Sequence, residues 1–268
     1  MKYEPIKNVL NKVFATPFLR KIFYKLIDIL LLRAWYIHRE FKRWLKSAPE
    51  NPEIYDAGSG LGQHSFFMLN KCKSCRLTAV DINKEQIENT QKFFEKIGFA
   101  GRAEFITGDV AEFVRPDSFD FILNVEVIEH IEDDVKALTN FYTSLKKGGM
   151  LLLSTPSEYA VDHDHDDEGG FVVDEHVRDG YSPGELSEKL RKAGFEDFEI
   201  SYIYGKWGSI AWHLSMKYPI IMLNKSFLFF ALLPFYYIVA MPFALIFDWF
   251  DTLSDNKKGT SLLVKARK

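Results

Sequence analysis

The sequence predicts an α/β fold organised around a largely parallel sheet. Three observations predict it. From about residue 53, short apolar runs of strand length alternate with segments of helical period; a glycine-rich turn joins the first strand to the first helix; and acidic or amide residues recur where strands end. The chain has 268 residues, 47% hydrophobic and 26% charged, which is enough to bury a full core and excludes wholesale disorder or a collagen-like repeat. Its two cysteines, Cys72 and Cys75, are too few for a secreted disulfide scaffold or a four-cysteine zinc knot, so a reducing compartment is expected.

Residues 1–48 read as a basic amphipathic helical region, with Pro17 marking a break or the first turn of a new helix. Leu19, Ile22, Phe23, Leu26, Ile29, Leu30 and Trp35 recur mostly at three- and four-residue spacing, and Lys21, Lys25, Arg33, Arg39, Lys42, Arg43 and Lys46 fill much of the remainder. Residues 1–46 hold 11 Lys or Arg against 3 acids, while the whole chain carries only −3, so the basic surplus is local. Two readings fit this pattern: a helix packed on its own domain, and a helix lying in a membrane surface. A cleaved secretory signal fits poorly, because Asp28 and Arg33 interrupt a late and short apolar stretch.

Residues 49–204 form the expected core. Strands are predicted at 53–57, 76–80, 103–106, 119–124, 150–154 and 198–204, and helices at 63–71, 84–97, 132–145 and from Ser182 to about Ala193. Residues 156–180 form a polar loop carrying Asp162, His163, Asp164, His165, Asp166, Asp167 and Glu168, a tract read as a solvated charged loop or a cation site over the cleft.

Residues 205–257 form a hydrophobic insertion, and 258–268 a final strand. Between Lys225 and Asp248 lie 22 residues without a charge, long enough to span a hydrocarbon core. A single crossing would put the strand-like SLLVKARK on the wrong side of a membrane from the sheet it needs. The first arm, KWGSIAWHLSMKYPIIMLNK, carries His213 and Lys217 in its middle and is a poor spanning helix. An interfacial or re-entrant helical hairpin, kinked by Pro234 and Pro242, fits better, with Trp207, Trp212, Tyr218, Trp249 and the lysines at headgroup depth. The competing reading is an apolar cap buried on the protein or in a dimer.

Asp56, Gly58, Gly60 and Gly62 occur as DAGSGLG between the first strand and first helix, where glycines let the backbone turn tightly against a ligand. The second strand ends in Asp81, nineteen residues beyond Gly62, where a carboxylate can accept both hydroxyls of a ribose. Asp56 argues against a dinucleotide, since it would repel a pyrophosphate at the helix N-terminus. It would attract the ammonium and sulfonium of S-adenosylmethionine. Asp109 follows the third strand, and Asn124 and Val125 close the fourth.

These pieces, DAGSGLG, AVDIN around Asp81, TGDV around Asp109 and FDFILNVEVIEHIED from Phe119 to Asp133, resemble a class I S-adenosylmethionine-dependent methyltransferase over roughly residues 50–204, with SLLVKARK resembling that family's last, antiparallel strand. The resemblance implies a Rossmann-like seven-stranded sheet in which the last strand inserts beside the preceding one. It also implies that Asp56 and Gly58 face the methionine part of the cofactor, Asp81 the ribose and Asp109 the adenine, with the Gly60–Gly62 turn beneath. Ile82, Val110, Asn124 and Val125 complete the expected cofactor set.

Methyl transfer from a sulfonium needs mainly positioning and exclusion of water, while a hydroxyl or carbon acceptor needs a base. Candidates are Glu126, Glu129 and His130 after the fourth strand, and His163, His165 and His176; the catalytic set expected is His130, Glu129 and His176. NVEVIEHIED resembles most closely the ubiquinone-pathway O-methyltransferase branch, which implies that these acids meet a divalent cation or the acceptor's phenolic oxygen. No metal ligand set is assigned. His176 and Arg178 are expected to contact substrate, and Ser182 to cap a helix. The expected acceptor is a lipophilic small molecule reached from the cytoplasmic side of a membrane surface by a monotopic or peripheral protein; the resemblance implies a hydroxyl of a quinone-like or phenolic lipid, with carbon or nitrogen methylation of another lipid or hydrophobic small molecule, or a catalytically idle membrane-associated protein of this fold, as the alternatives. No nucleic acid is expected, and the sequence assigns no oligomeric state.

Overall fold

The structure is a computed structural model that describes residues 16–160 and 177–268. Seven strands form one sheet: β1 (Glu53–Ala57), β2 (Arg76–Asp81), β3 (Ala103–Thr107), β4 (Phe119–Val125), β5 (Leu145–Pro156), β6 (Asp197–Ile203) and β7 (Ser261–Arg267), in the order β3-β2-β1-β4-β5-β7-β6. The first five strands run parallel; β7 is antiparallel to both neighbours, with Ser261 opposite Pro156 and Ile203. This is the Rossmann-like arrangement expected. β5 starts five residues earlier than the predicted strand, because Leu145 pairs with Phe119 ahead of the register shift between Phe119 and Phe121.

Strand alternation sorts side chains into two layers. Ile54, Leu77, Phe121, Leu123, Leu152 and Leu263 lie in one core cluster; Tyr55, Val80, Ile122, Leu151, Val264 and Ala266 lie in the other. The second layer is covered by α5 (Asp134–Ser144) and α6 (Pro183–Lys192) through Leu138, Phe141, Leu186 and Leu190. Asp133 and Ser182 cap these two helices, accepting from Lys136 N at 3.0 Å and Glu185 N at 3.1 Å. The first layer is covered by α3 (Gln63–Lys71), α4 (Lys84–Lys96) and the N-terminal helices α1 (Pro17–Leu30) and α2 (Leu32–Trp44).

Pro17 opens α1, as a proline tolerated in a first turn should, and an extended Leu31 separates α1 from α2. α2 is a core helix: Ile37, Phe41 and Trp44 are buried, and Phe41 meets Phe121 edge-on and Trp44 meets it tilted, at 5.3 and 4.7 Å between ring centroids. α1 is the reverse. Its buried residues are Arg20 and Tyr24, while Phe18, Leu19, Ile22, Leu26 and Ile29 are exposed.

Between β6 and β7 the chain leaves the sheet as α7 (Lys206–Trp212), a π-helical turn His213–Lys217 and α8 (Tyr218–Lys225), then returns as α9 (Leu233–Leu253). The arms form a hairpin: Tyr236 and Tyr237 hydroxyls donate to Leu214 O at 2.7 Å and Ser215 O at 3.0 Å, and Trp207 stacks on Phe247. The two prolines expected to kink the second arm both fall within α9. Pro234 sits in the first turn of α9, and Pro242 lies inside a helix that runs on for its full 21 residues. Among the described residues α9 is the one helix long and apolar enough to cross a membrane. Its buried positions are Ala240, Ala244, Asp248 and Asp251, one helical stripe, whereas Phe235 and Ile238 are 69% and 71% exposed.

Cys72 and Cys75, from which a reducing compartment was expected, are instead joined by a disulfide between α3 and the start of β2, at the amino end of the parallel strands. Both are buried in the first layer, which suits a structural role.

Asp251 anchors the hairpin. It accepts from Tyr36 Oη at 2.6 Å and Gly208 N at 2.8 Å, while Arg39 donates to the neighbouring Thr252 carbonyl. Asp251→Ala leaves the Tyr36 hydroxyl only the backbone carbonyl of residue 251 at 2.7 Å and strands the buried Gly208 amide, and urea denaturation should show a loss of about 2 kcal/mol.

Candidate cofactor and acceptor site

β1, β2 and β4 run in register beside one another, so the loops that follow Ala57, Asp81 and Val125 share the carboxyl edge of the sheet. The first loop takes left-handed conformations at Gly58 (φ +82°), Gly60 (+50°) and Gly62 (+77°). Gly58 backs onto the loop after β4, where a Cβ would lie 2.2 Å from Val127 Cγ2. Gly62 backs onto α4, where a Cβ would lie 2.5 Å from Thr90 Cγ2. At Gly60 the nearest atom among the described residues is Gln86 Oε1 at 3.9 Å, so this part of the turn faces open space.

The carboxylates expected to contact a ligand also brace the edge. Asp81 accepts from Gly60 N at 2.7 Å and Asn83 N at 2.9 Å, tying the second loop to the first. Asp109, exposed after β3, accepts from Ala111 N at 2.8 Å. Asp56 turns inward instead, accepting from Ser65 Oγ; burial, followed by the negative charge of Asp81, pushes its carboxyl up to about 7. Ile82, 75% exposed, offers an apolar surface beside Asp81, whereas the Val110 side chain is packed in the core and Val125 lies against it. Asn124 is buried and donates to Ala57 O at 3.0 Å; its Oδ1, and Ser59 Oγ in the glycine turn, lack hydrogen-bond partners among the described residues.

A second group lies past β4. Glu126 adopts φ +53° and pairs with Arg33 Nη2 at 3.0 Å, and Ser154 Oγ donates to it at 3.3 Å. Glu129, on the 3-10 turn Ile128–His130, is fully buried; Thr155 Oγ1 donates to Oε2 at 3.1 Å, and Oε1 has no partner among the described residues. Burial and the charge of Glu126 push the Glu129 carboxyl up to about 8, with Arg33 opposing. His130, its neighbour, is exposed, so the two candidate catalytic side chains do not share an environment. His64, in α3, is pushed down to about 4 by burial and then by the Arg33 charge, which places a neutral imidazole near this group.

The divalent cation implied by resemblance does not fit. Glu126 already meets a guanidinium and Glu129 faces Thr155, and among the described residues no group of three or more His, Cys, Asp or Glu converges as metal ligands would. Arg178, expected at the substrate, donates to Ile131 O at 2.6 Å and Glu132 O at 2.7 Å and pairs with Asp134, so it braces the loop before α5. His163, His165 and His176, and the acidic tract, lie outside the described residues.

Arg33, His64 and Thr155 were not candidates in the sequence. Arg33 is one of 11 basic residues in the first 46, and nothing in its spacing marks it as the one beside Glu126. His64 carried a local signal: it stands two residues after the glycine turn.

This chain's residues suit S-adenosylmethionine. A cation and an amino acid end can meet Asn124 Oδ1 and Ser59 Oγ, ribose hydroxyls Asp81, and an adenine the exposed Ile82 and Asp109. Gly58→Ala forces a left-handed alanine into Val127, and isothermal titration should show affinity for S-adenosylhomocysteine lower by about 10-fold or more.

Comparison with known proteins agrees with this reading. The methyltransferase domain family matches residues 55–153. The carboxy-S-adenosyl-L-methionine synthase of Psychromonas ingrahamii is 27% identical over 62% of this chain and 77% of its own length. The erythromycin 3''-O-methyltransferase of Saccharopolyspora erythraea is 25% identical over 58% of this chain and 54% of its own, so the chain spans about half of that relative. Among solved structures, Haemonchus contortus phosphoethanolamine N-methyltransferase 2 in complex with S-adenosyl-L-methionine superposes with a TM-score of 0.59 at 18% identity, covering 87% of this chain and 52% of that one. The fold, the glycine turn with its edge carboxylates and the family match agree: the chain carries an S-adenosylmethionine-dependent methyltransferase domain.

Proposed function

We propose that this protein transfers a methyl group from S-adenosylmethionine to a hydroxyl of a lipophilic small molecule, a quinone-like or phenolic lipid, while seated monotopically on a membrane surface. One observation carries the membrane part: α1 and α9 have reversed polarity. Arg20 and Tyr24 point inward on α1, and Asp248 and Asp251 on α9, while Phe, Leu, Ile and Val side chains cover the outer faces. In water that arrangement exposes apolar area at about 25 cal/mol per Å² and leaves the polar groups to be desolvated. Against lipid tails it is the favourable orientation. Trp249 among the exposed residues and Lys21 and Lys25 on α1 match the aromatic and basic flanks of an interfacial helix. Because β6 and β7 hold both ends of the excursion in one sheet, the hairpin enters and leaves from the same side. A soluble acceptor gives no reason for such a surface; an acceptor dissolved in the bilayer does.

The donor, when bound, supplies a methyl group on a positively charged sulfur. The chain's own task is to hold the acceptor and take its proton. Glu129 suits that task best: Thr155 fixes one oxygen, and the other has no partner among the described residues. The acceptor O–H would donate to Glu129 Oε1 and pass its proton there as the acceptor oxygen displaces the donor's sulfur from the methyl carbon, while the Arg33–Glu126 pair holds the edge of the site. His130, exposed, orients the acceptor's rim.

Glu129 must be ionised to act, and its carboxyl is raised, so kcat/KM should climb with pH through about 8, as read from initial rates with labelled donor. Glu129→Gln should cost ~100-fold or more and abolish that limb; an unchanged pH profile in the variant removes Glu129 from the role. Incubation of membranes with isotopically labelled S-adenosylmethionine, followed by extraction and mass analysis, should place label in a lipid. Label confined to water-soluble metabolites contradicts the proposed acceptor.

A further inference from the structure

We propose that Arg20 and Tyr24 are positioning residues for the cofactor loop, and that α1, which carries them, couples occupancy of that loop to contact between its outer face and a lipid surface. The first half stands on geometry alone; the second rests on the membrane reading above.

Arg20 is almost fully buried, and its guanidinium reaches three elements. Nε donates to Tyr24 Oη at 2.6 Å, Nη2 to Leu61 O at 2.8 Å and Thr90 Oγ1 at 2.7 Å, and Nη1 to Asn89 Oδ1 at 3.1 Å and Asn89 O at 3.2 Å. The Tyr24 hydroxyl also donates to Leu61 O. Leu61 is the middle of the Gly60–Gly62 turn, so one carbonyl of the cofactor loop receives two donors from a helix that lies outside the family match at 55–153. A Cβ on Gly62 would lie 3.6 Å from Tyr24 Oη as well as against Thr90. The guanidinium lies 4.6 Å from the centroid of Phe93, and Tyr24 meets the same ring edge-on, which fixes both side chains. Burying an arginine is costly unless its donors are met. Here they are met by the loop and by α4.

The opposite face of α1 carries Phe18, Ile22, Leu26 and Ile29 at three- and four-residue spacing, all exposed, with Lys25 among them. The inward face of α1 is therefore a polar latch and the outward face an apolar blade. Extended Leu31 joins α1 to α2, which is fixed in the core, so α1 is held to the domain by the latch, by Asp28, which accepts from Gln63 Nε2 at 2.6 Å, and by Phe23 and Ile27 packed beside it. A bilayer that holds the blade down restricts α1 to its docked position and with it the Leu61 carbonyl. By linkage, cofactor binding must then favour membrane binding by the same factor.

The test uses the full chain, with S-adenosylhomocysteine titrated calorimetrically in buffer and with phosphatidylcholine–phosphatidylglycerol vesicles, and co-sedimentation run on the same samples. In buffer, Arg20→Ala should weaken S-adenosylhomocysteine by about 10-fold and raise KM for the donor while saturated kcat is kept. Tyr24→Phe keeps the ring contacts and should shift affinity in the same direction by less, and Arg20→Lys should recover part of the loss. Vesicles should tighten wild-type affinity by about fivefold or more. Phe18→Glu with Leu26→Glu should leave affinity in buffer as in wild type and remove the vesicle response. Unchanged affinity in both Tyr24→Phe and a folded Arg20→Ala overturns the positioning role. Wild-type protein that co-sediments without any change in affinity overturns the coupling alone. Wild-type protein that stays in the supernatant overturns the coupling and the membrane reading together, and the positioning role is then decided by the buffer titrations.

Discussion

The antiparallel insertion of β7 between β5 and β6 is the constraint on which the rest depends. Ser261 pairs with Pro156 on one side and Ile203 on the other, so the chain that leaves at Ile203 must come back to the same end of the same sheet. A helix of 21 residues, apolar enough to cross a bilayer, is thereby tied at both ends to one domain. The hairpin geometry, the buried aspartates that fasten it and the outward apolar faces follow from that tie.

Polarity inversion gives the two peripheral helices a shared logic. Ordinary amphipathic helices bury apolar stripes and wet their charges. α2, with Ile37, Phe41 and Trp44 buried, obeys that rule. α1 and α9 break it in the same direction, with polar groups engaged by protein partners: Arg20 by the glycine turn and α4, Asp251 by Tyr36 and Gly208. Arg20, Tyr24 and Asp251 thus dock their helices, while the apolar outer faces of both helices are exposed. The catalytic edge shows a different economy. Asp81 and Asp109 use part of their hydrogen-bonding capacity on loop amides of the edge, and Glu129 and Asn124 each keep one buried oxygen unmatched among the described residues. Such orphans are expected where a ligand completes the set.

Much of this was legible in the sequence because it is written in local spacing. The strand and helix alternation, the strand-ending Asp81 and Asn124 and the final strand were all fixed by period and turn chemistry. The need for a returning hairpin followed from one strand requiring a sheet. What the sequence hid was long-range. Whether α1 packs or faces outward depends on which side of the helix Arg20 occupies relative to Leu61 and Thr90, some 41 and 70 positions away. Periodicity marks Leu19, Ile22, Leu26 and Ile29 as one face without saying what that face touches. The Glu126–Arg33 pair, which displaces a metal reading drawn from local acids, joins segments 93 residues apart.

The central claim is that the outer face of α9 contacts hydrocarbon while its inner face contacts protein. Spin labels placed at Ile238 and, separately, at Ala240, in protein bound to phospholipid vesicles, report this directly through relaxation by oxygen, which concentrates in lipid, and by a water-soluble nickel chelate. Strong oxygen and weak nickel relaxation at 238, with little of either at 240, is the result the proposal predicts. Strong nickel relaxation at 238 would contradict it.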